Sequence, residues 1–417
     1  MSSFLIAVTA ILAMFFMGEA RASEVSAEIT RTYLYAGTLS EGVGALKARA
    51  IADPLDGEAV FGLGMVQFTE AVEHLAQGLY RYGLHPPKIV LVPILRFPLP
   101  PNPTPETLTF EGFRALIQTF TNELAVAENT LSGVGEHDVH LVVDLAKVRL
   151  DMKAPGSALQ GDTLAFLIAR LNGQPGTDSK PFETLEVNFD AGDAAWLRGY
   201  CHALMAPDEF LLAHDFHSTF DVAFHLFFPR TASPLREELR RDAPNENVAA
   251  NFVGQDASLF ADIVALVHTI NWPVVEPIRM AAARTHLKSV IAASRQSWKL
   301  ILAETDDDRE WLPNPRQKNS ALGWNISQPQ LDAWFATLEE SEGVLDGRLL
   351  VPHWRFTKGI DLKDFFEKPH SFDLVLLLTG AGALPFLRDG EVTTSQRWRE
   401  ITSAFGESFV GYAFWIN

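Results

Sequence analysis

One cysteine, Cys201, stands in a chain of 417 residues. An intrachain disulfide is therefore impossible, and the fold rests on its core rather than on covalent staples. Cys201 sits among Leu197, Tyr200, Leu204 and Met205, where a small buried hydrophobe is expected. Basic residues are scarce, 34 against 52 acids, for a formal net charge of −18. The acids are spread along the chain, so phosphate backbones and anionic lipid are repelled and nucleic-acid binding is not expected. Long apolar runs are missing after the first residues. No later segment offers the ~18 uncharged apolar positions of a transmembrane helix, and no span is expected in the mature chain. Nucleophile elbows, Walker loops, paired CxxC motifs and dinucleotide fingerprints are also lacking, which leaves whether the chain is an enzyme open.

Among the features present, the first is at the start. Phe4 to Met17 is almost unbroken apolar sequence, followed by Gly18, Glu19 and the small-residue pattern Ala20-Arg21-Ala22. That pattern is a secretory signal with cleavage after Ala22, and the expected location is periplasmic or secreted. The remaining ~395 residues exceed one ordinary core, and two or three packed regions are expected. A content of 47% hydrophobic and 21% charged residues is globular.

The expected fold is α-rich (α+β): a helical bundle or repeat-like N-terminal and central regions, with a smaller mixed α/β C-terminal region. After the signal segment 1–22, residues 23–86 form a helical hairpin, with apolar residues at spacings of three and four from Leu39 to Leu84 around the turn Asp53-Pro54-Leu55-Asp56-Gly57. The alanine-rich second helix, the Asp-Pro turn and Ala59 with Leu63-Gly64 resemble a tetratricopeptide repeat boundary, which implies a scaffold that binds a protein partner. Residues 87–190 are mixed, with a proline-rich stretch whose segment Lys88–Leu95 is read as an edge strand or covering loop, and with strands at Val139–Leu150 and Thr184–Phe189. Residues 191–303 are helical: Asp190 is an N-cap, Pro207 stops or kinks the first helix, and further helices span Asp208–Phe228, Asn251–Ile270 and Glu276–Leu302. Residues 304–417 hold six of the nine tryptophans, and their short apolar runs Phe372–Leu378 and Phe409–Ile416 are expected to be strands.

The sharpest chemical candidate is the expected helix Asp208–Phe228, where His214, His217, Asp221 and His225 share one face beside a phenylalanine stripe. Imidazoles and a carboxylate at such spacings are what a divalent metal uses when one helix supplies two ligands. The remaining ligands would come from elsewhere. Glu304, Asp306, Asp307, Asp308 and Glu310 are the acidic cluster that could complete the site, with Asp306 and Asp308 the expected ligands. Asp151–Asp162 carries acids at the ends of a calcium-loop frame, but Lys153 and Pro155 occupy two ligand positions. Pro352, His353, Trp354 and Arg355 place an aromatic, an imidazole and a guanidinium together, as sugar or carboxylate binders do.

Two functions follow from these residues. The first is an exported noncatalytic helical scaffold or binding protein for an unknown protein or small-molecule partner. The second is an exported metal-dependent hydrolase that joins the His214–His225 helix to the Glu304–Asp308 loop.

Overall fold

The computed structural model describes residues 24–85, 99–153, 163–167, 183–238, 257–406 and 409–416. The expected signal segment, the Lys88–Leu95 stretch and most of the Asp151–Asp162 frame lie outside these residues. The fold is helix-rich, with small antiparallel sheets.

Helix α1 (residues 24–36) leads into the hairpin of α2 (Leu39–Ala52) and α3 (Gly57–Arg81). The turn between them is fixed by Asp56, whose carboxylate accepts from the Ala59 amide at 2.9 Å, the Ser26 hydroxyl at 2.8 Å and Arg49 at 3.0 Å. These bonds satisfy an orphan amide of the first turn of α3 and tie α1 to the turn. Close approach requires glycine at Gly62, where a Cβ would lie 2.1 Å from Thr30 Oγ1. Helix α4 (Phe110–Ser132), capped by Thr109, packs against α3 and the long central helix α5 (Ala191–Ala213). Strands β1 (Leu141–Asp144) and β2 (Glu186–Phe189) pair antiparallel, with Leu141 opposite Phe189 and Asp144 opposite Glu186. A first core gathers buried residues from Ala27 to Phe228, including Phe61, Leu124, Val187 and Phe220.

Of the two outcomes expected at Pro207, a stop or a kink, the stop does not occur; α5 runs through it to Ala213. An interior proline costs about 3 kcal/mol through its missing N–H and ring clash. Here the most extensive helix pairing among the described residues, between α5 and α8 (Pro277–Ile301), supports the helix on both sides of the proline. The stop comes seven residues later. His214 is extended, Arg114 donates to the carbonyls of Leu212 and His214 at 2.8 Å each, and the amides of Val275 and Glu276 take the Ala213 carbonyl. The single helix expected over Asp208–Phe228 is therefore two: the end of α5, then α6 (His217–Ala223) with a 3-10 turn Phe224–Leu226.

A second core begins at Ala213 and Met280 and collects Trp298 and Ile301 of α8, Leu331, Trp334 and Leu338 of α9 (Gln328–Leu345), and Trp415 and Ile416. Helix α7 (Ala257–Thr269) lies against α6. The expected strand Phe372–Leu378 is only a two-residue strand, Phe372–Asp373, followed by a helix, Leu374–Thr379, because Asp373 caps the Leu376 amide at 2.8 Å. Phe409–Ile416, also expected as a strand, is a helix. Its end is tied back by two indoles: Trp196 Nε1 donates to the Trp415 carbonyl at 2.8 Å and Trp298 Nε1 to that of Ile416 at 3.3 Å. Short apolar runs carry too little periodicity to separate strand from helix, and tertiary closure decided both. Trp196 and Trp311 pack against both cores.

Candidate cation site

Where the two cores meet, two chain segments deliver three carboxylates to one place. Asp190 follows the last residue of β2 and caps α5. Its Oδ1 accepts from the amides of Gly192 at 2.6 Å and Asp193 at 3.2 Å, while Asp193 Oδ2 accepts from the Asp190 amide at 3.1 Å, a reciprocal capping box. Glu304 lies three residues past the end of α8. The loop that follows is stapled by its own side chains: Asn314 Nδ2 donates to the Ile301 carbonyl at 2.9 Å, and Gln317 Nε2 donates to Glu304 Oε2 and to the Asp306 carbonyl, both at 3.1 Å. Arg309 then takes a positive φ of 58°, uncommon for a residue with a Cβ. Its carbonyl accepts from the Asn188 amide at 3.1 Å and its guanidinium reaches Glu186 at 2.9 Å, so the loop is stitched onto β2 and Glu310 is brought beside Asp190.

The result is a cluster in which Asp190, Glu304 and Glu310 each place a carboxylate oxygen within 4.8 Å of the others. Each has one oxygen already held: Asp190 Oδ1 by its cap amides, Glu304 Oε2 by Gln317, and Glu310 Oε1 by the Asp308 amide at 2.8 Å. Glu304 Oε1 is buried with no hydrogen-bond donor. Among the described residues, neither these three nor the buried Asp193 forms an ion pair, although Arg309 and Arg316 are close in sequence. Arg309 is spent on Asp308 and Glu186, and Arg316 on the Leu302 carbonyl.

Uncompensated negative charge in a half-dry place must be met by protons or by a cation. Burial first, then repulsion from Asp190, pushes the Glu304 carboxyl far up. Burial and Asp190 likewise raise Asp193. Glu310 rises to about 7, again mainly through burial and then through its acidic neighbours against the opposing Asp308 amide. An all-oxygen, carboxylate-rich set suits a hard divalent ion such as calcium, magnesium or manganese rather than a thiolate- or imidazole-seeking one.

The residues singled out from sequence lie differently. His214 is fully buried, its Nδ1 2.6 Å from the Phe210 carbonyl and its Nε2 without a partner, amid Phe210, Trp272 and Phe372. His217 keeps its helical partner Asp221 at 3.7 Å and stacks on Phe110. His225 turns to Asp262 of α7 at 3.4 Å. Asp306 contributes a backbone carbonyl to Gln317, and Asp308 is clamped by Arg309 at 2.9 Å, which holds its carboxyl below the usual range. Of the acidic loop only Glu304 and Glu310 enter the cluster, and no histidine does. Asp190 was legible only as a cap. Its acidic neighbour at the third helical position, Asp193, was the available hint that this helix start carries more negative charge than capping needs.

A second polar network went unread in the sequence. His202 and His286 face each other across α5 and α8 with their Nδ1 atoms 2.9 Å apart, and Glu128, pulled down to about 2 by His202 and Arg198, lies 3.4 Å from His202 Nε2. A cavity of about 620 Å³ opens between α8 and α9 and is lined by Leu287, Trp334, Leu338, Thr394 and Trp398 among others. No member of the carboxylate cluster lines it. Compared with known proteins, the chain matches no family model, no curated protein and no solved structure.

Proposed function

We propose that the chain is a noncatalytic helical binding protein that carries one hard divalent cation, calcium being the best fit, on Asp190, Glu304 and Glu310. The convergence of three carboxylates, one from the cap of α5 and two from the loop after α8, without an ion pair to any of them, carries this reading. Such a cation neutralises a charge excess that the fold itself creates, and it joins the segments on which both cores close. The role is structural in the first place. The apolar cavity between α8 and α9 has no cluster residue in its wall, which separates the ion from that substrate-sized space. Export, expected from residues 1–22, fits this reading, since calcium sites of extracellular modules work at ~10⁻⁴–10⁻³ M.

The test is calorimetric titration of chelator-treated protein with calcium, magnesium and manganese, together with terbium luminescence sensitised by Trp311, the residue after Glu310, and by Trp196, whose ring lies 5.3 Å from that of Trp311. One ion per chain, a raised Tm and a sensitised terbium signal are expected. No heat and no Tm shift up to several times the ~1 mM range of weak calcium modules would refute the site. Turnover on a phosphoester or ester panel that depends on Glu304 would replace the noncatalytic reading with a hydrolytic one.

A further inference from the structure

Two apolar helices lie on the surface where an apolar helix is ordinarily buried. Helix α7, whose sequence is ASLFADIVALVHT, has no buried side chain from Phe260 onward, and the helix Leu374–Thr379, sequence LVLLLT, has none at all. A helix that is apolar all round belongs in a core or in lipid. The two are in contact and are locked by the antiparallel pairing of Asn271–Trp272 with Phe372–Asp373 and by the Leu374 amide on the Ile270 carbonyl at 3.0 Å. Together they expose Phe260 at 54%, Val264 at 50%, Leu376 at 46% and Leu378 at 61%, and the 3-10 turn Ala381–Phe386 that follows adds Leu384 at 58%.

The polar ends of the shorter helix are finished as though water were not available to them. Its last three carbonyls are met by three consecutive side chains: His353 Nε2 at 3.2 Å from the Leu377 carbonyl, which also accepts from the Gly380 amide at 3.2 Å, Trp354 Nε1 at 3.1 Å from that of Leu378 and Arg355 Nη1 at 2.6 Å from that of Thr379. The Leu376 amide is taken by Asp373, and the Thr379 hydroxyl donates to the Val375 carbonyl at 2.7 Å. Backbone groups in hydrocarbon must be satisfied internally in this way, whereas at an aqueous surface solvent would serve. The cluster at 352–355 thus caps a helix rather than surrounding a sugar. Trp354 is left 80% exposed with the Arg355 guanidinium 5.4 Å from its ring, an indole and a long cation of the kind that settle at a lipid headgroup boundary.

Charge selects among occupants. Residues 374–387 carry no charged side chain, and the one acid of α7, Asp262, pairs with His225. The whole chain is at −18, so a second copy or an anionic bilayer meets long-range repulsion, while an uncharged headgroup surface does not. No helix among the described residues is long and apolar enough to cross a membrane, so the face would lie in the interface plane. We propose that this chain docks peripherally on zwitterionic phospholipid through the face formed by α7, the Leu374–Thr379 helix and Trp354.

The test is co-sedimentation of the full chain with phosphatidylcholine vesicles, paired with sedimentation velocity of the free protein. Vesicle binding by a monomer is expected, with at least about tenfold loss in Leu378→Asp and in Val264→Asp, because a charge on the buried face opposes insertion. Both positions are exposed, and an unchanged Tm for either variant shows that the fold survives. Trp354→Phe should keep part of the binding, and the difference spectrum against the parent should show a blue-shifted indole on vesicles. Three results would overturn the proposal: no binding to phosphatidylcholine, binding only to phosphatidylglycerol vesicles and insensitive to Leu378→Asp, or a dimer that Leu378→Asp dissociates in the absence of lipid.

Discussion

The histidine segment 214–225 and the acidic loop 304–310 are both dense in ligand-type side chains, and only one of them builds a cluster. In the first, the chain turns at His214–Phe216 because the carbonyls ending α5 are taken by Arg114 and the segment after Trp272, so residues that would share a helical face are dispersed. Each histidine then finds its own neighbour: the Phe210 carbonyl, Asp221 or Asp262. In the second, the acids have no helical spacing, yet Arg309 stitches the loop to β2 and leaves Glu304 and Glu310 facing Asp190 with no cation of their own. Ligand density is a property of sequence. Ligand convergence depends on which local charges are already neutralised.

The largest effect that would break this contrast lies in the carboxylates. Glu304→Gln, which resembles the protonated form and should fold, and Asp190→Asn are each expected to weaken calcium by at least 100-fold in titration calorimetry. They should thereby remove the ~2.7 kcal/mol of stabilisation that the parent gains at a hundred times its Kd. Unchanged affinity in both would dissolve the distinction between loop and helix.

Next in size is the pH dependence without cation. Glu310 is held at about 7 in the fold, above its ordinary 4.5, so between these values the folded state binds the proton that the unfolded state has released, and stability falls as pH rises. Glu304 and Asp193 extend the same trend upward. Denaturant unfolding should show a loss approaching ~1.4 kcal/mol per pH unit for each such proton, reduced in Glu310→Gln and flattened by calcium. Because Glu73 and Asp208 are also raised to about 7, the informative quantity is the difference between parent and variant. Calcium binding should release protons, seen as a dependence of the heat on buffer ionisation.

The histidine side yields a smaller effect of opposite sign. Burial holds His214 below its usual range, so its contribution is intact above about pH 6.5 and lost as pH falls below it. His214→Phe should remove up to ~1 kcal/mol of that acid-side loss, measured as parent minus variant at pH 5 and pH 7.5. Smallest of all, His217→Ala should shift stability by no more than ~0.5 kcal/mol and leave calcium affinity where it was, since its imidazole is half exposed beside Asp221. A tenfold loss of cation there would restore the helix as a ligand source.

Much of the scaffold was legible. The Asp53–Gly57 turn, the long helices after Gly57 and Pro277, the Asp190 cap and the burial of Cys201 follow from apolar periodicity, capping chemistry and side-chain size, all local quantities. What failed was decided at long range. Pro207 was overridden by packing of α5 on α8, and Phe372–Leu378 and Phe409–Ile416 are runs too short for their period to speak. The carboxylate site was half legible: Glu304 and Glu310 stood in an evident acidic cluster, but their partner Asp190 lies more than a hundred positions away and already had a sufficient local reason to be acidic.

The two indole bonds that draw residues 415 and 416 back onto α5 and α8 also set a clock. They span 219 and 118 positions. A chain emerging from its N-terminal side holds every buried residue of the first core by Phe228, yet the second stays open until Ile416 has followed. At synthesis rates of ~5–20 residues per second that interval is roughly 10–40 s. Once α9 is complete at Leu345, the apolar faces of α8 and α9 still wait for Trp415 and Ile416 to close over them.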